Sequence, residues 1–302
     1  MNMNQYYHLC ADGASAKGFI LSERDFRAAM NVVAVCAANT GVTVVAFSLE
    51  DTHPHFLLFG SLAECVRYKE MFETIYRHYA ASTRKDETPF VLDIEVYPIG
   101  DDLGYLKNVA VYVINQPTKD HKHVMPYDYR WGSGPLYFRN ERVVPIWLSD
   151  GRGVVSAPVP FGSLHSLVRR EMLHTRQYTV PGEWLVADGI LLPSNYVDIA
   201  RFEAIYQTHN AFRVFLSGSK AKDDEINNKM AEERGIQMED IEARQLCGVE
   251  CKIMFGTRNT RLLDTRQRLT LAQTLRRRHR LTYRQIATLV YLPENEVRRF
   301  VS

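Results

Sequence analysis

The sequence predicts an α+β chain built on a split βαβ unit, followed by a mixed extension and a helical C-terminal segment. Three observations point there. The first 117 residues alternate short apolar or β-branched runs with longer amphipathic ones, in the order strand, helix, strand, strand, helix, strand, helix. Two of the helical runs open on start signatures, Ser22-Glu23-Arg24-Asp25 and Ser61-Leu62-Ala63-Glu64. Residues 258–302 hold eleven Arg against Asp264, Glu294 and Glu296, a local charge of +8, while residues 1–257 stand at −6.

Each element has a local reason. Residues 5–10 read as a strand and 11–18, rich in Gly, Ala and Ser, as a loop. A helix runs from the Ser22 box to about Thr40 and stops at Gly41. Residues 42–49 and 53–60 are strands around a polar turn, and the Ser61 box opens a helix to about Ala81. After a charged loop at 83–89, residues 90–98 alternate as a strand. A third helix starts near 100–102 and is expected to end at Pro117. This order implies a ferredoxin-like split βαβ antiparallel sheet with helices on one face.

Residues 118–139 read as a loop. Beyond them the pattern predicts strands at 142–147 and 184–192, and helices at 163–172, 196–208, 223–234 and 239–245. Two further helices at 270–280 and 282–290 precede a Leu292-Pro293 break and a last helix at 294–301. The expected domains are therefore 1–139, 140–257 and 258–302.

Composition excludes several classes. At 302 residues, 46% hydrophobic and 24% charged, the chain is neither disordered nor fibrous. Five scattered Cys residues (10, 36, 65, 247, 251) suit a reduced cytoplasmic protein, not a disulfide scaffold. Cys247 and Cys251 have no second pair at zinc spacing nearby and read as buried small residues. The uncharged run 28–49 is long enough to span a bilayer, but Asn39-Thr40-Gly41 breaks it, so no membrane span is expected. No signal peptide is expected at the start.

The residues that carry chemistry begin with His53-Pro54-His55. Alternate side chains of a strand share a face, so two imidazoles there can hold one ion. Pro54, with no N–H to give a ladder, predicts an edge or irregular strand. In the third helix Leu103, Leu106, Ala110 and Val113 form the core stripe. Tyr105, Val109, Tyr112 and Gln116 line another face, and Tyr112 and Gln116 are neighbours four apart. The Gln116 amide oxygen is of the kind that binds a hard cation.

This set resembles the single-tyrosine HUH transposases, the transposases of small insertion sequences and the REP-associated tyrosine transposases. "AFSLEDTHPHFLLFG" (residues 46–60) is similar to the family's stretch around its paired histidines. "YVINQPTKDHKHVMPYDYRWGS" (residues 112–133) is similar to the stretch after its tyrosine, and Tyr7-His8-Leu9 to its first strand. The resemblance covers about residues 5–138. It implies Tyr112 as nucleophile and His53, His55 and Gln116 as ligands of Mg2+ or Mn2+. Pro54 stands where the family has a bulky apolar residue, and Thr52 where it usually has Asn.

The implied activity is a transposase, or a domesticated relative, that nicks and rejoins single-stranded DNA near a hairpin through a 5′-phosphotyrosine. A metal-bound phosphate is polarised for in-line attack, and the covalent link conserves the bond energy for rejoining. The family includes dimers that share sites, which leaves a homodimer open. The last segment resembles a helix-turn-helix, with Ile286, Ala287, Val290 and Val297 in its core. It implies duplex DNA as a second partner. Arg276, Arg277, Arg278, Arg280 and Arg284 are expected on phosphates, and Asn295, Arg298 and Arg299 on the DNA face. The rival expectation is a non-catalytic DNA-binding regulator that kept the transposase fold.

Overall fold

The computed structural model describes residues 4–11, 18–84, 92–120, 124–140, 145–148, 157–217 and 220–301. Among these the chain is α+β, with antiparallel sheets and no barrel. It forms two compact units, residues 1–223 and 224–302. The expected boundaries at 139 and 257 fall inside these units. No helix among the described residues is long and apolar enough to cross a membrane.

The first unit is organised by a four-stranded sheet of order β2-β3-β1-β4. The strands are β1 (Gln5–Ala11), β2 (Thr43–Leu49), β3 (Pro54–Gly60) and β4 (Ile94–Pro98), and every pairing is antiparallel. Helices α1 (Glu23–Thr40) and α2 (Leu62–Thr83) start where the sequence placed them. Ser61 and Glu64 make a full reciprocal capping box. At α1, Ser22 Oγ accepts from the Asp25 N–H, and Gly41 ends the helix at φ +85°.

The two helices of the split βαβ order, α1 and α2, pack on each other through the Tyr79–Asp25 hydrogen bond, and the extra third helix takes the other side of the sheet. Phe56 packs on Tyr68 and Phe72 of α2, while the neighbouring His55 packs on Tyr112 of α3 (Leu103–Ile114). Successive strand residues point to opposite faces, so α2 and α3 cover opposite sides of the sheet. Burial on both sides explains why Val109 and Tyr112 of α3 are as enclosed as Leu106, Ala110 and Val113. Leu103, expected in the core stripe, is 52% exposed.

Two expectations about proline are corrected. Pro54 is the first residue of β3, an interior strand paired on both sides, where a missing N–H is tolerated. Pro117 does not end the helical path. The chain breaks at Asn115 and resumes as the short helix α4 (Gln116–Asp120), with Pro117 in its first turn, where a proline needs no N–H partner.

The stretch after α4 covers the outer edge of β2. Leu49 N–H donates to the Trp131 carbonyl, and Ser133 N–H to that of Phe47, each at 2.9 Å. Tyr129 Oη donates to the Leu49 carbonyl at 2.6 Å. An edge strand is thereby kept from pairing with another chain. Gly134 is required there, because a Cβ would run into the Pro126 carbonyl.

The expected strand at 142–147 lies partly outside the described residues, and Pro145–Trp147 is a 3-10 turn. The remainder of the unit holds β5 (Val159–Pro160), α5 (Ser166–Leu173), β6 (Leu185–Ala187), β7 (Ile190–Leu191), α6 (Ile199–Tyr206) and α7 (His209–Leu216). It belongs to the same unit because it bonds to the main sheet's helices. Asn31 of α1 bridges Gly189 and Leu191, and Tyr206 Oη donates to the Lys107 carbonyl at 2.6 Å. Helix α8 (Lys220–Arg234) runs across the boundary between the units.

The second unit packs α9 (Asp240–Phe255), α10 (Thr265–His279), α11 (Tyr283–Val290) and α12 (Glu294–Val301) around one core. That core includes Leu271, Leu275, Ile286, Val290 and Val297. Cys247 and Cys251 are buried in it, as expected. Helix α9 is ten residues longer than the expected 239–245 helix at its C-terminal end, and it stops at Gly256 in a left-handed turn of φ +74°.

One buried network ties α1 to α2. Asp25 accepts from Tyr79 Oη at 2.8 Å and from Leu21 N–H at 3.0 Å, and pairs with Arg84 at 3.1 Å. Burial alone would raise its pKa, but these partners together hold it below the usual aspartate value. Its stabilisation is therefore full above that usual value and drains away as pH falls from there through the lowered folded value. Asp25→Ala should cost about 3 kcal/mol in urea unfolding, because the buried Arg84 charge is no longer balanced. Asp25→Asn should flatten the acid limb of the stability curve; an unchanged acid limb would contradict this assignment.

Candidate functional site

The site is built on the sheet face beneath α3. Register sets Cys10 of β1 directly opposite His55 of β3, and alternation puts His8 on the same face. His53 stands just before β3. Three imidazoles then form a line. His55 Nδ1 is 3.2 Å from His8 Nε2, and His55 Nε2 is 2.8 Å from His53 Nε2. Beyond them His53 Nδ1 meets Thr52 Oγ1 at 2.7 Å.

Tyr112 closes the line from above. Its ring sits edge-on to both His8 and His55, with centroids 5.7 Å away in each case. The Lys119 ammonium lies 3.9 Å from the Tyr112 ring centroid and also pairs with Asp223 at 3.1 Å. Gln116 is buried one turn beyond Tyr112, and its amide nitrogen donates to the Tyr112 carbonyl at 2.9 Å. That bond uses the nitrogen and leaves out the oxygen, the atom a hard cation takes.

Burial governs the protonation of the two inner rings. It pushes the His8 pKa down to about 3, with His53 and Lys119 adding to the effect. It holds His55 well below the usual histidine value, again with help from His53, His8 and Lys119. Both rings are therefore neutral at pH 7, each with one N–H and one lone pair.

That count makes the fit to a cation testable. If His55 carries its proton on Nδ1, it donates to His8. If His53 carries its own on Nδ1, it donates to Thr52. The two Nε2 lone pairs then face each other across 2.8 Å, an arrangement a divalent cation relieves. The donor set fits such an ion: two imidazole nitrogens, each with its second nitrogen bonded outward. A cation held there would supply Lewis acidity.

The structure thus brings His53, His55 and Tyr112 into one cluster, with Gln116 on the same helical path. Sequence reasoning missed His8, Cys10 and Lys119 as members. His8 and Cys10 alternate on a strand, but only the β1–β3 register shows that they meet His55, 47 and 45 positions away in sequence. Lys119 was hidden because Pro117 was expected to end the helix.

In the second unit the expected DNA-facing arginines divide. Arg298 is buried, pairs with Glu294 at 2.8 Å and lies 4.6 Å from the Tyr283 ring centroid. Arg276 lies 4.3 Å from the same centroid and donates to the Leu281 carbonyl at 2.9 Å and to that of Glu233. These two hold the helices together, so the expectation that Arg298 lies on an open face is corrected. Arg277, Arg278, Arg280 and Arg299 are exposed, and Arg284 and Asn295 half-buried.

Compared with protein families, curated proteins and solved structures, the chain matches none of them.

Thr52 is the residue whose role is most open to direct measurement. Thr52→Val removes the hydrogen-bond partner of His53 Nδ1 and should lower Mn2+ affinity about 10- to 100-fold in calorimetry, as loss of an outer partner typically does. Unchanged affinity would mean that the His53 ring is not oriented through Thr52.

Proposed function

We propose that the chain is a metal-dependent single-strand DNA nuclease and strand transferase of the single-tyrosine HUH kind, with Tyr112 as nucleophile. The observation that carries this reading is the meeting of Tyr112 with His55 on the sheet face beneath α3, with His53 Nε2 2.8 Å from His55 Nε2. The strand order β2-β3-β1-β4, all antiparallel, supports a ferredoxin-like arrangement beneath it.

Each residue has a role in this account. His53 and His55 would hold Mg2+ or Mn2+ through their imidazole nitrogens, Gln116 would complete the set with its amide oxygen, and the ion would polarise the scissile phosphate. Tyr112 Oη attacks the phosphorus in line, forming a 5′-phosphotyrosine and releasing a 3′-hydroxyl on the other fragment. Lys119 places positive charge beside the tyrosine ring, where a phosphodiester would lie. A single strand suits the site because its backbone can bend to present one phosphate to a recessed tyrosine. Rejoining reverses the attack, with an incoming 3′-hydroxyl displacing Tyr112. The second unit binds duplex DNA, with Arg277, Arg278 and Arg280 on phosphates and Asn295 and Arg299 nearest the bases.

Incubating the protein with hairpin-bearing single strands and Mn2+ should yield a covalent protein–DNA band. Tyr112→Phe should abolish that band and leave binding intact. Binding without any covalent product would favour the regulator reading. A band that survives Tyr112→Phe would move the nucleophile, with Tyr105 the first alternative. In the full chain, replacing Arg277, Arg278 and Arg280 by Ala should weaken duplex binding for all sequences. It should also flatten the slope of log K against log salt, by about 0.9 for each phosphate that is no longer neutralised. An unchanged slope would remove these arginines from the interface.

A further inference from the structure

The imidazole line has an inner end that the proposed reaction does not use. His8, Cys10 and His55 sit on the α3 face of the sheet, all buried, and one ligand atom from each lies within 4.8 Å of the other two. The thiol is in no disulfide. His8 Nε2 and His55 Nδ1 are 3.2 Å apart. Two nitrogens bound to one tetrahedral zinc at 2.0–2.1 Å are about 3.3 Å apart, so the pair already has the required spacing. Sulfur at about 2.3 Å from the metal must approach the nitrogens to about 3.6 Å, which a small side-chain adjustment of Cys10 supplies.

We propose that His8, Cys10 and His55 form a second metal site, selective for Zn2+, that excludes a metal from the outer His53–His55 pair. The selectivity follows from the donors. A thiolate with two imidazoles favours a borderline-soft ion, and nitrogen and sulfur sites bind zinc more tightly than manganese. On binding, the Cys10 thiol gives its proton to solvent and the sulfur takes its place on the metal. All three ligands come from paired strands, so the site is largely formed beforehand.

The exclusion follows from the single lone pair of a neutral imidazole. For the inner site His55 must offer Nδ1 and keep its proton on Nε2. That proton then points at His53 Nε2, 2.8 Å away, and makes a hydrogen bond to it. For the outer site the same ring must offer Nε2 and keep its proton on Nδ1, toward His8. One ring cannot do both, so zinc at the inner end removes half of the outer pair. The two states use the same ring positions and differ in where the His55 proton sits. The exclusion rests on the reading of His53 and His55 as the metal pair; the inner zinc site does not.

The test uses metal-free full-length protein titrated with Co2+, a spectroscopic stand-in for zinc. A thiolate-to-cobalt charge-transfer band should appear, saturate at a single equivalent and be bleached by Zn2+. Cys10→Ser should lose the band and His53→Ala should keep it. No band in the wild type, or a band that survives Cys10→Ser, would overturn the site. If Cys10→Ser does not fold by circular dichroism, His8→Gln serves in its place, since its tetrahedral cobalt spectrum should be lost. Zinc should also block formation of the Mn2+-supported covalent DNA adduct, with at least ten-fold less inhibition in Cys10→Ser. Zinc that binds through Cys10 yet leaves adduct formation untouched would overturn the exclusion. Should the wild type form no adduct under any metal, the nicking reading fails while the cobalt band still decides the zinc site.

Discussion

Neutral imidazoles can be buried side by side only if every ring nitrogen finds a partner, and that requirement shapes the sheet face under α3. An unpaired polar group there would cost on the order of 1–3 kcal/mol. The line from Thr52 through His53 and His55 to His8 sets a polar partner within 3.2 Å of each ring nitrogen that faces along it. It needs β1 and β3 adjacent, in the register that sets Cys10 against His55. It needs a lid, which Tyr112 and α3 provide. The extension beyond residue 140 backs that lid from outside, with Tyr206 bonded to the Lys107 carbonyl of α3.

The same line gives the site its chemical character. Burial keeps His8 and His55 uncharged, so their nitrogens are lone-pair donors at neutral pH. Neutral donors bind hard cations weakly, and the shell must be completed by oxygen atoms from elsewhere. On the proposed reading those oxygens come from DNA, which couples metal binding to substrate binding. The Cys10 end of the line offers a softer donor set. Which end is used depends on the tautomer of one ring.

Much of the first unit was legible in the sequence because its signals are local. Ser61 and Glu64 are three residues apart and state a helix start without help from the fold. Gly41 and the alternating strands are equally local. What was not legible depends on distant partners. Pro117 reads as a stop, yet a one-residue break at Asn115 turns it into a first-turn proline. Helices on one face were expected from the order of elements, and that order says nothing of which side the extra helix α3 takes. In the second unit, the charge of the C-terminal segment was plain. Which arginines face outward was not, because Arg276 and Arg298 are drawn inward by Tyr283 and Glu294. Of the site itself, His53, His55 and Tyr112 could be named from spacing and resemblance, whereas His8 and Cys10 required the strand register.

On the proposed reading Tyr112 becomes covalently joined to DNA. Trypsin cuts after Lys107 and Lys119, which leaves Tyr112 the sole tyrosine of its peptide and puts Tyr105 in another. Protein should be incubated with a hairpin-bearing single strand and Mn2+, digested with nuclease and trypsin, and measured by mass spectrometry. The account predicts a nucleotide mass added to the 108–119 peptide and located on Tyr112. Nucleotide mass on any other peptide, or on none, would contradict it.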